Sequence, residues 1–131
     1  MTQDGPDTLL FMRRLLSGLA LCATLGASVA LIGCHSHYIQ ATITNASDAP
    51  LNVVQVDYPS ASFGTQLLAP GASFHYRFKL LGSGNIKVSF TDAARQDHAQ
   101  TGPWLNEGQE GTLEITLPSQ DHAEFHTSLK P

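Results

Sequence analysis

From Ile39 onward the chain alternates apolar and polar residues. Ile39, Ala41 and Ile43 alternate with Gln40, Thr42 and Thr44, and Phe74, Tyr76 and Phe78 with His75, Arg77 and Lys79. Ile86, Val88 and Phe90 alternate with Lys87 and Ser89, and Leu113, Ile115 and Leu117 with Glu114 and Thr116. Successive side chains of a strand point to opposite faces, so this period of two predicts strands with one face buried and the other in water. Leu51 to Tyr58 is more continuously apolar and predicts a central strand. Weaker strand patterns fall near Phe63–Leu68 and His98–Thr101. Turn-forming residues separate these runs: Asn45 to Pro50, Ala69-Pro70-Gly71 in the order of a type II turn, Gly82 to Asn85, and Glu107 to Gly111. Asn45-Ala46-Ser47 fits a glycosylation sequon but reads as part of the first of these turns. Beyond Cys34 no helical period lasts longer than a turn or two.

About seven short strands at this spacing predict an all-β domain over residues 38–118, a small antiparallel β-sandwich. An eight-stranded barrel is the alternative closure. The layout resembles an immunoglobulin-like or transthyretin-like sandwich in architecture alone, because the disulfide and core tryptophan of true immunoglobulin domains are missing. The polar stretch 119–131 is expected to be a tail, disordered or with one short strand at Phe125–Leu129.

The N-terminal third follows a different pattern. Arg13 and Arg14 precede Leu15 to Gly33, nineteen residues without a charge and rich in small side chains. A positive end, an apolar stretch and a small-residue exit make a helical export signal over residues 1–33. It ends on Leu31-Ile32-Gly33-Cys34, which resembles the lipobox of bacterial lipoprotein precursors. The resemblance implies a diacylglyceryl group on the Cys34 sulfur, cleavage between Gly33 and Cys34, and acylation of the new amine. Residues 34–37 then form a lipidated tether reaching only about 10 to 14 Å. His35 stands where an Asp would hold a lipoprotein at the inner of two membranes, so the resemblance implies an outer-membrane address facing the periplasm. The alternative is an uncleaved membrane-spanning helix, since nineteen uncharged residues can cross a bilayer. Asp4, Pro6 and Asp7 sit poorly in a signal, and translation is expected to start at Met12.

Composition narrows the chemistry. Cys22 leaves with the signal, so Cys34 is the one cysteine of the exported part and has no disulfide partner. Five basic residues beyond Gly33 (Arg77, Lys79, Lys87, Arg95 and Lys130) face nine acidic ones. An acidic domain without a basic run lacks the cationic surface that nucleic acid requires. His35 with His37, and His122 with His126, are candidate metal or ligand contacts, aligned on one face if extended. No Gly-x-Ser-x-Gly elbow, free thiol or phosphate loop is present, and Gly82-Ser83-Gly84 reads as a turn. Neither an enzyme nor a cofactor is implied. Tyr58-Pro59-Ser60-Ala61-Ser62-Phe63 and Gly102-Pro103-Trp104-Leu105 are two aromatic loop candidates. If they meet at one end, Tyr58, Phe63 and Trp104 form a recognition rim for a protein, peptide or glycan; otherwise they cap the core. The expected function is a non-enzymatic, membrane-tethered interaction or structural module of the cell envelope, and the alternative is a ligand- or metal-binding lipoprotein using the histidines.

Overall fold

The computed structural model describes residues 36–131. The export signal, Gly33, Cys34 and His35 lie outside the described residues. The alternating runs form strands in the expected places, and eight strands are present where about seven were expected: β1 (Ile39–Asn45), β2 (Leu51–Tyr58), β3 (Ala61–Leu68), β4 (Ser73–Phe78), β5 (Gly84–Thr91), β6 (Asp97–Leu105), β7 (Glu110–Ser119) and β8 (His122–Lys130). They form two four-stranded sheets, β4-β1-β7-β8 and β3-β2-β5-β6. The fold is an all-β sandwich. Within the sheets β2 is an interior strand, as its apolar sequence requires.

Two regions differ from expectation. The polar stretch after Ser119 is not a tail; His122–Lys130 is a nine-residue edge strand paired antiparallel along β7. Its inward positions are Ala123, buried, and Phe125 and Leu129, half-buried and packed against the core. The sandwich is also not purely antiparallel. β1 pairs antiparallel with β4 but parallel with β7, in register from Ile39 against Gly111 to Asn45 against Leu117.

The inner faces of both sheets supply one core. Ile39, Ile43, Leu51, Val56, Ile86, Val88, Leu113, Ile115 and Leu117 have no exposed surface. Each such aliphatic side chain contributes about 1.5–3 kcal/mol of burial. The sheets do not close into a barrel: β3 does not pair with β4, nor β6 with β8. Side chains close the two seams instead. On one side the Phe63 and Tyr76 rings stack with centroids 4.5 Å apart. That contact explains why Tyr76, expected inside with Phe74 and Phe78, is 41% exposed at the seam. On the other side the Gln100 amide stands in for a neighbouring strand, its Nε2 donating to Ala123 O (2.6 Å) and its Oε1 accepting from Ala123 N (2.9 Å).

The alternation of strand directions gives the sandwich two ends. The end where β1 begins also holds the 59–60, 79–83 and 106–109 connections and the close of β8. The opposite end holds the 46–50, 69–72, 92–96 and 120–121 connections. At that opposite end Ala72 N donates to Ala69 O, and Gly71 takes φ 76°, the left-handed position a type II turn needs.

Candidate functional site

The end where the chain enters is built from aromatic residues. Tyr58 closes β2 and Phe63 sits in β3, with ring centroids 6.1 Å apart, and both lean on Phe78 at 4.5 and 5.3 Å. Phe63 and Phe78 are buried and Tyr58 is half-buried, so these rings cap the core. Burial, with Tyr76 nearby, pushes the Tyr58 phenol above its ordinary range. Trp104 belongs to strand β6, not to a loop, and pairs with Asn85 of β5. Its side chain is 60% exposed, and its Nε1 donates to Asn106 Oδ1 at 3.2 Å.

Both aromatic segments reach this end, where bonds link the 59–60 and 106–109 connections to the 79–83 connection. The Leu81 amide donates to Ser60 Oγ (3.3 Å), and the Glu107 amide donates to Ser83 Oγ (2.8 Å). Pro59 lies so close over Gly84 that a β-carbon there would come within 2.9 Å of the ring. Of Tyr58, Phe63 and Trp104, the structure leaves Trp104 alone at the surface. It adds a residue the sequence reading did not single out: Leu81, 67% exposed in the 79–83 connection.

A second exposed apolar surface lies on the outer face of the sheet that also carries Trp104, toward the opposite end. Val53 is half-exposed and Leu67, across β3, is 58% exposed; Leu67 pairs with Asn52. The register between β2 and β5 shifts between Asn52 and Gln55, and Val53 at that bulge has φ 49°. A β-branched residue in the left-handed region is strained, because its branched Cβ crowds the backbone. The bulge turns Val53 out toward a shallow depression lined by Gln55, Asp97 and His98.

Beside it, Asp92 and His98 fasten the β5–β6 hairpin. His98 Nε2 lies 2.8 Å from Asp92 Oδ2, and the His98 ring stacks on Phe90 at 5.4 Å. The Gln96 amide donates to Asp92 Oδ1 (2.9 Å). These bonds, the one from His98 first, hold the Asp92 carboxyl below its usual range. An ionised carboxylate only accepts, so the bonded His98 Nε2 carries a proton. Asn45, buried at the same end, is fully satisfied. Its Nδ2 donates to Ala49 O (2.8 Å) and Leu68 O (2.9 Å), and its Oδ1 accepts from Ser47 N (3.0 Å) and Ser47 Oγ (2.6 Å). Asn45 of the sequon-like triplet is thus a buried turn anchor.

The histidines are dispersed. His37 Nδ1 lies 3.6 Å from Glu110 Oε2 at the entry end. His122 and His126 open and centre β8, where four residues of extended strand separate them by about 13 Å. Among the described residues no group of three or more His, Cys, Asp or Glu could hold a metal ion.

Comparison with protein-family models, with curated proteins and with solved structures finds no match to the chain.

Proposed function

We propose that the chain is a cell-envelope lipoprotein, exported and anchored through Cys34 to a membrane facing the periplasm, whose sandwich acts as a non-enzymatic interaction module. The observation that carries this reading is the position of the lipobox against the fold. Leu31-Ile32-Gly33-Cys34 ends four residues before the first core residue, Ile39, which is fully buried. Processing there removes the signal and leaves the whole core intact. The exposed groups support contact more than chemistry. Val53 and Leu67 are aliphatic, and His98 is already engaged by Asp92 and Phe90. A strained Val53 that presents an apolar side chain to water is the kind of local cost that a binding surface recovers.

The anchor is tested by mass spectrometry of the full chain extracted from bacterial membranes. The expected N-terminal peptide starts at Cys34 and carries the added mass of a diacylglyceryl group and an acyl chain. Cys34→Ser is expected to accumulate with residues before position 34 still attached. A membrane-extracted wild-type chain that retains those residues overturns the lipoprotein reading.

A further inference from the structure

The exposed apolar residues Leu81 and Trp104 lie at the end of the sandwich where the chain enters. β1 begins there, and the 79–83 and 106–109 connections are joined through Ser83 and Glu107. Four residues, His35 to Tyr38, separate Cys34 from Ile39 and span at most about 14 Å. Their last part is held: the Arg77 guanidinium lies 3.9 Å over the Tyr38 ring, and Glu110 lies between His37 (3.6 Å) and Lys130 (3.2 Å). If Cys34 carries lipid, a tether this short keeps the entry end within about 14 Å of the headgroups.

We infer that Leu81 and Trp104 form a membrane-contact edge, and that the sandwich docks on phospholipid with this end down. This rests on the anchor reading above. Trp104 suits the interface because its ring is apolar while its Nε1–H has a polar partner in Asn106 at 3.2 Å. Leu81 adds an aliphatic tip in a connection short enough to move little. Charge does not oppose the contact. Lys79 and Glu107 flank the edge with opposite signs, and Glu110 is neutralised by Lys130. A lipid chain gains hold when a second apolar contact enters the interface beside it.

Trp104 is the single tryptophan of the chain, so its fluorescence reports on this edge alone. The test uses the full chain, processed in cells, with Cys34 acylation verified by mass, reconstituted in phosphatidylethanolamine–phosphatidylglycerol vesicles. Phospholipid brominated high on its acyl chains is expected to quench Trp104, and aqueous iodide to quench it weakly. Leu81→Asp is expected to reduce the bromolipid quenching by about two-fold or more, with the acylated mass unchanged. Acylated protein whose Trp104 is open to iodide and untouched by bromolipid overturns the docking geometry and leaves the anchor standing. Membrane-extracted protein with unmodified Cys34 overturns the anchor, and the docking with it.

Discussion

At Asp92 one carboxylate accepts bonds from His98 and from the Gln96 amide, and the hairpin between β5 and β6 depends on its charge. Its pKa in the folded chain lies below its unfolded value, so the folded state binds fewer protons over the interval between the two. This stability is fully present above the ordinary carboxylate range. It is lost as pH falls through the depressed folded value, below about pH 4. Urea midpoints measured from neutral to acid pH should fall for the wild type, with a shallower fall for Asp92→Asn. Parallel curves would remove Asp92 from the account. Sequence alone does not reveal this pair, since Asp92 and His98 are polar residues in a segment that reads as a turn and a weak strand. Asn45 was legible as a turn residue but not as a buried one, because its four partners come from Ser47, Ala49 and the distant Leu68.

At the scale of strands, the seam between β6 and β8 hangs on Gln100. Gln100→Ala removes both bonds to the Ala123 backbone. The cost is expected to be about 1–3 kcal/mol, read from urea unfolding, with faster hydrogen exchange at the Ala123 amide. Unchanged exchange at Ala123 would mean that packing alone holds the seam. The strands that alternate cleanly, β1, β5 and β7, were legible because each has a neighbour on both sides and one face in the core. The edge strands β6 and β8 were legible only in part, as a weak pattern at His98–Thr101 and one short strand at Phe125–Leu129. β6 contains Gly102 and Pro103, ordinary loop residues. An edge tolerates proline because its missing N–H faces no partner, and Gly102 is needed because a β-carbon there would come within 2.7 Å of Phe125. β8 hides behind small or partly covered inward residues, Ala123 above all, between polar ones. The Trp104 environment was half legible. Its segment was legible as aromatic, but its separation from the buried Phe63 depends on which strand faces carry them.

For the whole molecule, the two exposed apolar surfaces lie toward opposite ends: Leu81 and Trp104 where the chain enters, Val53 and Leu67 toward the other. A module docked by the first presents the second away from the membrane. A photoreactive side chain at position 67 of the full chain, activated in intact cells, should therefore give protein adducts, while one at position 104 should give lipid adducts. Lipid adducts from position 67 would invert the orientation, and no protein adduct there would remove the Val53–Leu67 face as an interaction surface.

The place of β1 in its sheet bears on a different property. It is flanked by β4 on one side and β7 on the other, and its first residue is the one nearest the anchor. If Cys34 carries lipid, a pull on it is delivered along the axis of this strand. The ladders on both sides then resist in shear, with all their hydrogen bonds loaded at once, where an edge strand pulled sideways would give way one bond at a time. If the anchor reading holds, a domain hung from an interior strand, paired on both sides, resists being unravelled from the point of attachment.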